Sequence, residues 1–219
     1  CSCIWVLCVT IKLDMRKILL LSVLFLVAAS SSAQLKMRDV FAQLPDSVLP
    51  LMTLNNRLDC IDFIENNMEA RVKNKFNDQV VLEVLTDDYL SIRTSEGSAV
   101  EMKLMPQGND TLICVNRTYL GPVEDSDVRL YSLDWRFVRV VQRPEVKEFL
   151  KSKDSILPWT PEMADTIAMI HAEADFLPLM KASLSKEGTQ IVWTLQTQEF
   201  CKEIKKVAEK YVQSIRKEL

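Results

Sequence analysis

The sequence predicts an α+β domain in which a curved antiparallel β-meander packs against N-terminal and C-terminal helices. Three observations carry this. Between Val80 and Val141 apolar residues recur at every second position, in short runs broken by turn residues. On either side of that block the period lengthens to that of a helix. The strands are grouped rather than interleaved with helices, which separates α+β from alternating α/β architecture.

The N-terminal part sets the compartment. Residues 1–14 precede Met15 and read as an upstream extension outside the mature chain. Met15–Ala33 reads as a cleavable signal peptide. Arg16 and Lys17 give the positive start, Ile18–Ala29 is apolar apart from Ser22, and Ser31 and Ala33 supply small residues before the cut. The run is shorter than the roughly 20 residues a spanning helix needs. Residues 34–219 then form a single α+β domain, and no transmembrane span is expected after cleavage. Loss of Lys12, Asp14, Arg16 and Lys17 takes the formal charge from −3 to −5. That balance argues against nucleic acid as a partner, which needs a basic face.

Leu35–Gln43 is a short amphipathic segment. A helix is expected from about Thr53 to Val72, with Thr53 or Asn55 as its cap and Leu54, Leu58, Ile61, Ile64 and Met68 as its buried stripe. Glu65 falls inside that stripe and needs a partner. Arg57 and Lys36 are the nearest basic candidates, and Glu65 with Arg57 is the candidate ligand-binding pair. Strands follow at Val80–Leu85, Tyr89–Thr94, Ala99–Met105, Thr111–Tyr119, Val128–Leu133 and Trp135–Val141, with Leu120–Asp127 as a longer connection. Thr111–Tyr119, almost continuously apolar at its start, belongs at the centre of the sheet. Gln142–Trp159 is a polar link with a short helical patch at Pro144–Lys151. Thr160 caps a helix with Pro161 at its first position and Met163, Ile167 and Ile170 inside. Phe176–Ser185 and Thr189–Gln196 form a hairpin. A last helix from Thr197 to about Lys217 buries Phe200, Ile204, Val207, Tyr211 and Ile215.

Few chemistries are supported. Gly97, Gly108, Gly121 and Gly188 sit in expected turns, and no glycine-rich phosphate loop is present. His171 is the single histidine and has no ligand set near it in sequence, so no metal and no cofactor are expected. Cys60, Cys114 and Cys201 read as small apolar residues, with one disulfide plus a free thiol left open. Glu124–Asp127 is an acidic turn without the calcium-loop pattern.

Arg38–Phe41, Leu44–Ser47, Leu54–Asp59 to Glu65, and Leu85–Leu90 together resemble a family of exported Bacteroidetes proteins catalogued as a domain of unknown function. Leu130–Trp135 is similar to its later hairpin. The resemblance covers nearly all of the mature chain. It implies a periplasmic or cell-envelope setting in a Gram-negative bacterium, and it implies no activity.

The sequence therefore points to a non-enzymatic binding or interaction module whose partner is a protein or an apolar small molecule. The rival classes are a hydrolase using carboxylates (Glu65 with Asp62) or a Cys–His pair, and a structural or assembly subunit.

Overall fold

The computed structural model describes residues 35–219, apart from Asn109, Ile156 and Leu157. The expected signal and the extension before it lie outside the described residues. A seven-stranded antiparallel sheet runs in simple meander order. Its strands are β1 (Ala70–Lys73), β2 (Gln79–Leu85), β3 (Tyr89–Ser95), β4 (Ser98–Gln107), β5 (Asp110–Leu120), β6 (Glu124–Tyr131) and β7 (Phe137–Val140). The sheet is open, with β1 and β7 as its edges. A second antiparallel sheet holds three strands in the order β10 (Ile215–Glu218), β9 (Gln190–Leu195), β8 (Met180–Leu184). The helices are α1 (Met37–Ala42), α2 (Leu54–Glu65), α3 (Val146–Phe149), α4 (Pro161–Phe176) and α5 (Lys202–Tyr211).

Strand alternation gives the large sheet two buried faces. Leu90, Ile92, Val100, Met102 and Ile113 meet Met37, Phe41, Met52, Cys60 and Ile61 from α1, α2 and the turn between them. Tyr89, Cys114, Val128 and Leu130 point the other way, against Phe149, Ile170, Trp193, Ile204 and Tyr211. The result is three layers, with the meander in the middle. Burial on both faces is why β5 reads as nearly continuous apolar sequence.

Four boundaries differ from the sequence reading. The helix expected to reach Val72 stops at Glu65, because Asn67 adopts φ +57° and turns the chain, and Ala70–Lys73 becomes the edge strand β1. Its inner face is also rotated. Arg57, Cys60 and Ile61 are buried, while Leu54, Leu58 and Met68 are exposed. Apolar residues nearly encircle this helix, so their spacing alone does not fix its phase. The connection expected at Leu120–Asp127 shrinks, since Glu124–Asp127 belongs to β6. The last helix starts after Cys201, with no side-chain cap, rather than at Thr197, and ends at Tyr211, and Ile215–Glu218 then pairs with β9 as β10. Phe176 ends α4 fully exposed instead of entering the hairpin. Of the two candidates Thr53 and Asn55 it is Thr53 that caps α2, and Thr160 caps α4 as expected, each accepting a backbone N–H three residues on.

The two sheets meet through hydrogen bonds as well as apolar packing. One edge of β8 pairs with β9. Its other edge faces side chains of the large sheet. Asp125 Oδ1 accepts the Met180 N–H at 3.0 Å, Ser126 Oγ accepts the Ala182 N–H at 2.9 Å, and Glu101 Oε2 accepts the Leu184 N–H at 3.1 Å. Asn116 Nδ2 donates to the Ala182 carbonyl at 2.9 Å and to Glu101 Oε2 at 2.8 Å. Tyr89 Oη completes the set by donating to Glu101 Oε1 at 2.7 Å.

Ser126 is fully buried and also bonds Thr118. Ser126→Ala leaves the Ala182 N–H buried without an acceptor, which costs about 1–3 kcal/mol. The expected outcome is a lower midpoint in denaturant unfolding with an unchanged slope. An unchanged midpoint would show that this edge does not hold the layers together.

Candidate functional site

After β7 the chain runs as an extended strap, Arg143–Glu145, into α3. Arg143 pins the strap. Its Nη1 and Nη2 donate to Asp125 Oδ1 and Oδ2 at 2.9 and 2.8 Å, a two-pronged pair that also sets the carboxylate for Met180. Glu145 caps α3, and Glu148 returns to accept the Glu145 N–H at 2.8 Å.

A cleft of about 490 Å³ opens between this strap and the C-terminal turn of α4. Pro144, Val146, Pro178 and Met180 supply apolar surface, and Arg143, Glu145, Lys147, His171 and Asp175 supply charge. His171 and Asp175 lie four residues apart on α4, which places them on one side of the helix, with Nδ1 3.1 Å from Asp175 Oδ2. The carboxylate holds the ring and directs Nε2 away from itself. Phe176 and Leu177 follow directly, with Phe176 90% exposed. The arrangement offers an apolar floor and charged groups of both signs.

The residues singled out from sequence lie elsewhere. Arg57 is 3% exposed and donates through Nη1 to Asp46 Oδ1 at 3.2 Å and to the Met52 carbonyl at 3.3 Å. Glu65 instead pairs with Arg38, Oε1 to Nε at 3.0 Å, on a half-exposed surface. The structure does not bring Glu65 and Arg57 together. Glu65 lines a shallow groove of about 290 Å³ with Lys36, Arg38, Ile64 and Asp87. Asp62 accepts a hydrogen bond from Asn66.

The three cysteines among the described residues, Cys60, Cys114 and Cys201, are free thiols. Cys60 and Cys114 are buried in different layers, and burial pushes both thiols up to about 12, so neither supplies a thiolate near neutral pH. Cys201 is exposed, against the expectation of a small buried residue. The acidic run is a strand whose members diverge. Glu124 pairs with Lys181 at 2.7 Å, Asp125 with Arg143, and Asp127 with Arg129 at 2.7 Å. With a cation on each carboxylate, the solvated-turn reading is replaced by a strand fixed to its neighbours.

Sequence reasoning named His171 but missed Asp175, Arg143 and Met180. The His171–Asp175 spacing on a predicted helix was legible. The strap was not, because its partner Asp125 was assigned to a loop.

These elements define a three-layer α+β domain with an open antiparallel meander at its centre and a cleft at one margin of the layers. The chain belongs to the family described as "Protein of unknown function (DUF3256)", whose model matches residues 28–217. The fold is also that of a solved structure, a domain of an uncharacterized protein from Porphyromonas gingivalis W83. The two share 23% identity with a TM-score of 0.64, over 82% of this chain and 90% of that one. No curated protein matches the chain.

The thiols provide a direct check of the layering. Under native conditions an alkylating reagent is expected to label Cys201 rapidly, and Cys60 and Cys114 only after unfolding, as counted by intact mass. Rapid labelling of Cys114 would contradict the packing of β8 and β9 over β5.

Several surface carboxylates bind cations or donors in the folded chain. Glu148 is the example that ties α3 to β10, its pKa lowered first by Lys217 and then by the Glu145 N–H. Asp46 is lowered by Lys75 and Arg57. A folded pKa below the unfolded one adds stability above the unfolded value, and that stability is lost as pH falls through the folded value. The thermal midpoint is therefore expected to hold steady above about pH 5 and to decline in the ordinary carboxylate range below it. A midpoint that rises on acidification would overturn this assignment.

Proposed function

We propose that this chain is an exported cell-envelope protein of a Gram-negative bacterium. It acts as a non-enzymatic binding module that receives a segment of a partner protein at the cleft between the strap and α4. The single observation that carries the binding reading is the apolar-floored cleft lined by charges of both signs, from which the chain runs on directly into the exposed Phe176. Concave apolar surface with a few polar groups is where partners dock, and exposed aromatics are the side chains that most often anchor them. Export rests on the Met15–Ala33 pattern. The hydrolase reading draws little support, since Cys60 and Cys114 are buried apart and Glu65 is engaged by Arg38.

The test uses protein purified from its own envelope. Denaturing mass analysis is expected to give a chain beginning at Gln34, and a mass that retains Met15–Ala33 would overturn export with cleavage. Crosslinking in the envelope followed by native mass spectrometry is expected to recover a protein partner. Phe176→Ser should weaken that capture by about tenfold or more, with the unfolding midpoint unchanged because the side chain is exposed. Capture equal to wild type would remove the cleft as the docking site. A bound apolar small molecule in place of a protein would replace the protein partner in this reading with a ligand.

A further inference from the structure

Among the described strands the two open sheets present four edges, those of β1, β7, β8 and β10. Three are filled or guarded. Side chains of the large sheet occupy the edge of β8. β1 carries Arg71 and Lys73, and β10 carries Arg216, Lys217 and Glu218, the kind of charges that keep a strand edge from pairing. β7 differs from all of these. Every residue in it is exposed, and Phe137, Val138 and Val140 keep 56%, 47% and 51% of their surface in water.

The backbone of β7 has a defined free side. Val141 N–H donates to the Val128 carbonyl at 2.8 Å, and Arg139 lies opposite Leu130. Bonded and non-bonded pairs alternate along an antiparallel ladder, so the N–H and C=O of Val140, between them, point away from β6. Among the described residues no backbone group bonds to either. The register slips by one residue at Val138, and this bulge is the single guard on the edge. The ladder is regular again from Arg139.

The side chains say what kind of strand fits. Between Trp135 and Arg143 the sequence holds three arginines and no carboxylate. Arg136 is paired with Asp134, and Arg143 with Asp125. Arg139 has no ion pair or hydrogen bond with any of the described residues. It lines a second cleft, of about 400 Å³, with Val141, Ile191 and Trp193; this cleft shares Arg143 and Glu145 with the first. The glutamates there are engaged elsewhere, Glu145 by Lys147, Glu148 by Lys217, and Glu218 by Gln190 and Thr189. Arg139 and Val140 face opposite sides of the sheet. A matching strand is therefore apolar on one face and acidic on the other. A second copy of β7 would bring another arginine and no carboxylate.

We propose that β7 receives an extended segment of a partner protein as a further strand of the large sheet. In that segment apolar residues alternate with acidic ones, and a carboxylate lies against Arg139. Backbone bonds supply the attachment and the alternate side chains the selection. No residue of β7 lines the cleft between the strap and α4, so this surface stands whether or not that cleft binds.

The test titrates the purified protein with two peptides of about eight residues, one alternating valine with glutamate and one alternating valine with lysine. Amide exchange is followed by NMR. The glutamate peptide is expected to bind saturably and to slow exchange of the Val140 N–H by about tenfold or more. The lysine peptide should bind at least about tenfold more weakly, and Arg139→Glu should reverse that order. Methylating the backbone nitrogens of the glutamate peptide should abolish binding. Val140→Lys should abolish it too, with an unchanged unfolding midpoint, while Lys73→Gln on the opposite edge leaves it intact. Equal affinity for the two peptides, binding that survives methylation, or an unprotected Val140 would overturn the proposal. Protection of Val140 that rises with protein concentration, without peptide, would overturn it in favour of a second copy.

Discussion

The layers of this protein are held in one arrangement by the unpaired edge of β8. A strand edge exposes N–H and C=O groups that must be satisfied when they are buried. Here no further strand does so. Asp125, Ser126, Glu101 and Asn116 reach from the large sheet and take the place of a neighbouring strand, with one contact each at Met180 and Leu184 and two at Ala182. The same contacts close an edge that would otherwise template pairing with another chain.

Both clefts follow from that junction. Asp125 accepts from β8 and is gripped by Arg143, so the strap is fixed to the same carboxylate that fixes the small sheet. Arg143 and Glu145 contribute to the walls on both sides. A short strap anchored at one bidentate pair thus divides the margin of the domain into two recesses of different character. One is floored by prolines, a valine and a methionine, and the other is lined mainly by matched charges with Trp193 beneath them.

The meander was legible in the sequence because period-two alternation and turn residues are local signals, and those from Val80 to Tyr119 fall within a residue or two of the observed strands. The short strands were not legible. The four residues Ala70–Lys73 and Ile215–Glu218 continue the apolar spacing of the helices before them, and only pairing with β2 and β9 makes them strands. Glu124–Asp127 reads as a loop because its carboxylates suit solvent. It becomes a strand because Lys181, Arg143 and Arg129 neutralise it from three other positions. Arg57 and Glu65 are one reading of a helix whose true phase is set by the sheet beneath it. Cys60 and Ile61 turn inward and carry Arg57 with them, while Glu65 meets Arg38 outside.

The inter-sheet face is more polar than a core needs to be, and the polarity has a physical consequence. Two purely apolar sheets can slide past one another by a residue pair at little cost, because dispersion contacts are not directional. A slide of β8 here would move the Met180, Ala182 and Leu184 N–H groups away from three fixed acceptors at once. Lys103 adds a fourth constraint at the far end of the hairpin. It is 2% exposed, pairs with Asp88 at 2.8 Å, and donates to the Lys186 carbonyl at 2.6 Å. The hairpin is therefore fastened near its turn by Lys103 and at its start by Asp125, with Ser126, Asn116 and Glu101 between. Register is then set by directional bonds rather than by packing volume, and Trp193, directly opposite Ala182 in β9, is carried to the floor of the second cleft by the same register.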